Sequence, residues 1–195
     1  MPSLEIEILP KVLESSNLEF SIFVETGTYK GETINKFEPF FDKLYTIEIK
    51  PEFYQYNKDK YTGNKITFLL GDSSTVLNKL TLELDKNCIF FLDGHWSAGD
   101  TGRGSKDCPL YEELKSINDG FRHSAIIIID DVRLFGRGPH NGEICNWYDI
   151  NENSIFNILK DRTEKYYHLP SSMHPSDRLV YHLKYKSCSN KNDLI

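Results

Sequence analysis

Five short apolar runs recur along the chain: Phe20–Glu25, Leu44–Glu48, Ile66–Leu70, Cys88–Leu92 and Ala125–Asp130. Each ends at an acidic residue or runs straight into one within two positions. Runs this short, apolar almost throughout rather than alternating, suit strands covered on both faces. Amphipathic stretches lie between them: Gly31–Phe40, Pro51–Tyr61, Ser74–Leu80 and Pro109–Asp119, with Asn153–Lys160 after the fifth run. Strand and helix in turn predict βαβ units and a parallel sheet, an α/β fold. Pro51 and Pro109 suit first helical turns, where a missing N–H costs nothing.

The last part of the chain breaks that rhythm. Tyr166–Leu169 and Leu179–Tyr185 read as two more strands, joined only by the segment PSSMHPSDR. That link is too short for a parallel crossover, so the pair is expected to be antiparallel. The 195 residues fit a single domain. Residues 1–17 read as a lead-in segment, and 187–195 as a frayed polar tail.

Composition narrows the function. The net charge of −6 disfavours an electrostatic partnership with nucleic acid. No apolar run reaches the ~18 residues that would cross a bilayer, so no membrane insertion is expected. MPSLEIEILP has no cationic start and no apolar core of the kind a signal peptide needs. Cys88, Cys108, Cys145 and Cys188 are widely spaced, without a C-x-x-C pair. They read as reduced thiols, and the expected compartment is the cytoplasm.

The strand ends carry the chemistry. The first runs into Glu25-Thr26-Gly27-Thr28-Tyr29-Lys30-Gly31-Glu32-Thr33, a glycine turn leading into a helix. Gly27 permits close approach of a ligand to the backbone, and Gly31 lets the helix start near the strand. The spacing is G-x-x-x-G, not the G-x-G-x-x-G of a dinucleotide site, and Glu25 would repel a pyrophosphate while welcoming an ammonium group. Glu48 ends the second strand, about 20 residues further on, where nucleotide-binding folds place a ribose-binding carboxylate. A solvated strand end is the plain alternative. Gly71-Asp72-Ser73 follows the third strand. Asp72 could accept from an adenine amino group, or Asp72 and Ser73 could simply cap the next helix. Ammonium, ribose and adenine together are the parts of S-adenosylmethionine (SAM).

At this point the sequence resembles the Rossmann-like, SAM-dependent methyltransferases, over about residues 18–186. The resemblance implies a doubly wound, mostly parallel seven-stranded sheet of order 3-2-1-4-5-7-6, with the last strand antiparallel and helices on both faces. It also implies a cofactor site built from Glu25, Thr26, Gly27, Thr28, Gly31, Thr33, Glu48, Ile49, Gly71, Asp72, Ser73, Asp93 and His95.

Strand four ends Asp93-Gly94-His95-Trp96-Ser97, and strand five ends Asp130-Asp131. Asp93, Asp130 and Asp131 would meet at the rim and suit a hard cation such as Mg²⁺ or Mn²⁺. The D-G-H-W-S segment with the later D-D is similar to sugar and small-molecule O-methyltransferases, nearest to glycan-tailoring ones acting on rhamnose-type sugars. A sugar or oligosaccharide acceptor follows. His95 is the candidate base, since a free imidazole titrates near neutrality. Asp93 stands beside it, and Asp131 is the alternative base without a metal. The loops His95–Asp107 and Arg133–Trp147 read as lid or acceptor loops. In them Trp96 and Trp147 could stack on sugar faces, and Asp100, Arg103 and Arg133 could bind hydroxyls. A phenolic or catechol-like acceptor, a non-catalytic binding module and an NAD-dependent oxidoreductase are the competing expectations.

Overall fold

The computed structural model describes residues 3–14 and 16–187. Cys188 and the expected frayed tail from 188 onward lie outside the described residues.

Seven strands form one sheet: β1 (Ile22–Thr26), β2 (Lys43–Glu48), β3 (Ile66–Leu70), β4 (Cys88–Leu92), β5 (Ala125–Ile129), β6 (Thr163–Leu169) and β7 (Arg178–Leu183). Their spatial order is β3-β2-β1-β4-β5-β7-β6. The first five are mutually parallel, and β7 runs antiparallel to both β5 and β6. The expected order and the odd last strand are therefore both present.

Among the described residues six α-helices, α1 (Ile8–Leu13), α2 (Glu32–Phe37), α3 (Pro51–Lys60), α4 (Ser73–Glu83), α5 (Leu110–Gly120) and α6 (Glu152–Leu159), cover the sheet. Side chains alternate across a strand, so each buried strand feeds two cores. Ile22, Val24, Phe90, Leu92, Ile127 and Ile129 pack with Leu77 and Leu80 of α4, Leu114 and Ile117 of α5 and Ile155 of α6. Phe23, Leu44, Ile89, Phe91, Ile126 and Ile128 pack with Ile8 and Val12 of α1 and Ile34 and Phe37 of α2. Burial on both faces explains why β1, β4 and β5 read as unbroken apolar runs. Among the described residues no helix is long and apolar enough to cross a membrane.

The differences from expectation have local causes. The stretch expected as one helix over Gly31–Phe40 is α2 followed by a 3₁₀ turn, Glu38–Phe40. Pro39 has no N–H to donate to the carbonyl four residues back, so the α-helix stops before it. Pro109 is the N-cap of α5 rather than part of its first turn. The lead-in holds α1, whose Leu9 and Val12 are buried.

Candidate active site

The parallel register levels the strand ends. Thr26 pairs with Ile47 on one side and Leu92 on the other, and Leu92 pairs with Ile129. The residues just beyond therefore share one rim, where ligands bind in open α/β sheets. A crevice there is lined by Gly27, Tyr29, Ile47, Glu48, Ile49, Phe53, Gly71, Asp72, Ser73, Asp93, Gly94 and His95.

Gly27 is required by geometry. Its φ is +82°, and a Cβ there would lie 2.3 Å from the Asp93 carbonyl oxygen. The turn and the β4 end thus touch backbone to backbone. Glu48 organises the same turn: its Oε2 accepts from the Tyr29 N–H at 2.7 Å, and its Oε1 accepts from the Lys50 N–H at 2.8 Å. Burial raises the Glu48 pKa, although these two N–H groups work against the shift. Asp72 caps α4, its Oδ1 accepting from the Ser74 N–H at 3.0 Å and the Ser74 hydroxyl at 2.6 Å. The capping alternative holds for Asp72, and the residue lines the crevice as well.

Glu25 is placed differently from a wall residue. It is 2% exposed and lies beneath the Gly27 turn, on the α2 side of the sheet. The Thr46 hydroxyl donates to its Oε2 at 2.7 Å. Burial pushes its pKa up to about 8, the Thr46 hydrogen bond opposing and the nearby Glu48 charge adding to the rise. Thr28 and Thr33 lie near Glu25: the Thr28 and Thr46 hydroxyls share a 2.5 Å hydrogen bond, and the Thr33 hydroxyl accepts from the Leu4 N–H at 3.1 Å. Thr26 points to the other face, its hydroxyl accepting from the Asp93 N–H at 3.2 Å, and Gly31 is the N-cap of α2.

Asp93, His95 and Asp131 meet at the far end of the crevice. His95 Nε2 lies 2.9 Å from Asp131 Oδ2, and Nδ1 lies 3.4 Å from Asp93 Oδ1. Both ring nitrogens therefore face carboxylates, and the ring packs edge-on against Trp147 at 4.6 Å. Burial, then the charges of Asp130 and Asp131, hold Asp93 well above the usual carboxylate range. Burial works upward on Asp131 too, but contact with His95 and the charge of Arg133 outweigh it and hold that carboxyl low.

The cation trio expected from sequence is not gathered as such. Asp130 Oδ1 instead accepts from Arg178 Nε at 3.3 Å, because the first residue of β7 lies beside the end of β5. The donors that do converge are Asp93, His95 and Asp131, whose ligand atoms lie within 4.8 Å of one another. Asp93 Oδ1 is buried without a hydrogen-bond partner, and the 2.9 Å approach of His95 Nε2 to Asp131 Oδ2 is a close contact rather than a well-aligned hydrogen bond. That donor set fits a divalent cation, with one nitrogen in place of the third carboxylate oxygen.

The residues expected to hold an acceptor are largely engaged elsewhere. Trp147 is 2% exposed, wedged between His95 and Phe135, and has no face open to a sugar. The Arg103 guanidinium stacks on Trp96 at 4.1 Å and donates to Asp107 Oδ1 at 2.7 Å. Asp100 is paired with Lys50. Arg133 is paired with Asp131 and Asp177. The loop from Ala98 to Lys106 lies over the crevice, with Gly104 packed so close to Asp72 that a Cβ would fall 2.6 Å from its Oδ2.

Some site residues left little trace in sequence. Tyr29, at φ +47°, and Phe53 stack edge-on at 4.6 Å over the crevice. Glu113 sits on the buried stripe of α5 with Leu110, Leu114 and Ile117, and its Oε1 has no partner. Burial raises its pKa to about 7, against hydrogen bonds from Ser73 and Thr26. A glutamate at an apolar position of an amphipathic helix was its only sign.

No protein-family model matches the chain, and no curated protein matches it in sequence. Its fold does have relatives among solved structures. The N-methyltransferase NodS from Bradyrhizobium japonicum WM9 is 10% identical over 93% of each chain, at a TM-score of 0.58. A putative methyltransferase from Streptococcus mutans in complex with SAH is 14% identical over 95% of this chain and 99% of that one, at 0.57. A putative type 11 methyltransferase from Sulfolobus solfataricus is 16% identical over 96% and 95%, at 0.56. The chain has the seven-stranded Rossmann-like methyltransferase fold that these proteins share.

Proposed function

We propose that the chain is a SAM-dependent methyltransferase that methylates a hydroxyl of a sugar or glycan, rhamnose-type sugars among them. The observation that carries the SAM reading is the crevice itself. Glu48 and Asp72 stand at neighbouring strand ends, with the Gly27 turn beside them and the buried Glu25 carboxyl beneath it. In this reading Glu48 takes the ribose hydroxyls, Asp72 the adenine amino group and the Gly27 turn the amino acid end. The relative from Streptococcus mutans holds SAH, the product of such a cofactor, in the same fold.

The acceptor reading rests on the rim chemistry. Methyl transfer from a sulfonium is an in-line displacement, so the protein must align the acceptor and take its proton. A sugar hydroxyl is a weak acid, and a base or a cation at the transfer point lowers the barrier. The Asp131 carboxylate, held ionised by His95 and Arg133, and the His95 imidazole are the groups placed to accept that proton. A divalent cation bound by Asp93, His95 and Asp131 would supply Lewis acidity toward the hydroxyl. In that case His95 would serve as a ligand rather than as the base. The test is calorimetry with SAM, SAH and NAD, followed by SAH release over a panel of sugar, phenolic and amine acceptors. SAM binding with turnover on sugars alone supports the proposal. NAD binding without SAM binding, or turnover confined to phenols or amines, contradicts it.

A further inference from the structure

Asp131 adopts a left-handed backbone, φ +60° and ψ +34°. That region is uncommon for a residue with a side chain, so the surrounding structure must favour it. The clamp comes from the far end of the chain. Asp177 is 1% exposed and immediately precedes β7. Because β7 runs antiparallel to β5, with Leu179 beside Ile129, its start lies next to the residues that follow β5.

Asp177 grips that turn through its carbonyl and both carboxylate oxygens. Its carbonyl oxygen accepts from the Val132 N–H at 2.9 Å. Its Oδ1 accepts from the Arg133 N–H at 3.2 Å. Its Oδ2 accepts from the Ser171 hydroxyl at 2.6 Å and from Arg133 Nη1. The same Arg133 nitrogen donates to Asp131 Oδ1, while Asp131 Oδ2 faces His95 Nε2. A line of polar contacts thus runs Asp177, Arg133, Asp131, His95. Asp130, Asp131 and Asp177 also lie close enough to suggest a cation site. The guanidinium of Arg133 already stands between two of them, and that of Arg178 neutralises the third.

We propose that Asp177 is a positioning residue: through Arg133 and the turn at Val132 it holds Asp131 in its strained conformation, aimed at His95. Without it the turn relaxes toward the right-handed region, and the Asp131 carboxylate leaves the imidazole. The proposal rests on the reading of Asp131 and His95 as the reacting pair, and Asp177 itself touches neither.

The test needs no acceptor. Long-range proton–nitrogen correlation spectra at one fixed pH report which ring nitrogen of each histidine carries the proton, with His95→Gln assigning the His95 signals. In the wild type His95 is expected in one tautomer, protonated at Nε2 facing Asp131. Asp177→Ala is expected to give a tautomer mixture at His95 while His123, His140, His168 and His182 are unchanged; His174 shares the Ser171 contacts of the Asp177 loop and is not a control. Asp177→Asn keeps the shape and the backbone hydrogen bonds and is expected to fall between the two. Asp131→Ala and the double variant Asp131→Ala with Asp177→Ala should give the same His95 signals, since the path no longer reaches the ring. Unchanged His95 signals in Asp177→Ala, or movement of all six histidines together, would overturn the proposal. SAH calorimetry on the same samples keeps the two readings apart. Binding is expected to be unchanged in Asp177→Ala and Asp177→Asn, and a wild type that ignores SAH removes the cofactor reading without touching this result.

Discussion

Thr46 stands beside Glu25 in the β1–β2 register, and its hydroxyl donates a 2.7 Å hydrogen bond to the Glu25 carboxyl. The hydroxyls of Thr46 and Thr33 do not offset full burial, which pushes the Glu25 pKa up to about 8. The folded state then holds a proton that the unfolded chain releases near pH 4.5. Stability contributed by this group falls as pH rises from about 4.5 to about 8, and the full penalty applies above that.

Glu25→Gln should therefore stabilise the empty protein while weakening cofactor binding. At pH 8 the gain is on the order of a few kcal/mol, seen as a rise of several degrees in melting temperature. At pH 4 the difference should vanish, because the wild-type carboxyl is then protonated in both states. Calorimetry should show SAM affinity lowered about tenfold, the scale of one lost hydrogen bond beneath the Gly27 turn. A variant less stable than wild type at pH 8 would contradict this account of the site.

Glu48 holds two backbone N–H groups of the cofactor loops and is assigned the ribose. Glu48→Ala should weaken SAH binding by about 10- to 100-fold, as expected when charge-assisted hydrogen bonds are removed. Titration calorimetry reads this directly, and an affinity within error of wild type would remove Glu48 from the site.

Gly27→Ala should abolish cofactor binding. The new Cβ would meet the Asp93 carbonyl at 2.3 Å, in a backbone region that L residues rarely adopt. The turn and the β4 end must separate to accommodate it. The same calorimetric titration checks this, with circular dichroism to confirm that the protein still folds.

His95→Ala should lower kcat by about a hundredfold or more, since it removes either the base of a metal-free site or a ligand of a metal-loaded one, with SAM affinity little changed. Exhaustive EDTA treatment should lower activity, and Mn²⁺ or Mg²⁺ should restore it. Full activity after chelation would leave the Asp93, His95 and Asp131 cluster as a proton-handling group only.

The parts of the fold legible in sequence are those that local pattern dictates. β1, β4 and β5 are buried on both faces and so read as apolar runs. β6 was legible only from Tyr166 onward, since it is an edge strand whose residues alternate between half-buried and exposed. α1 left no signal, being six residues long with Pro10 inside it. At the site, Gly27, Glu48 and Asp72 announced themselves because each follows directly from a strand end. Glu25 did so too, yet the sequence could not say that strand alternation turns its side chain beneath the turn. Trp147 looked like a loop aromatic open to a ligand, but the packing of Phe135 and His95 around it depends on contacts distant in sequence. The Asp177 clamp was equally hidden, since only the antiparallel placement of β7 brings residue 177 beside residue 131.

The central claim is that the crevice at the ends of β1 to β4 receives SAM, and a crystal of the protein soaked with SAH tests it most directly. The account predicts SAH density there, with the ribose on Glu48, the adenine at Asp72 and the amino acid end over Gly27. An empty crevice, or one that fills with NAD instead, would contradict it.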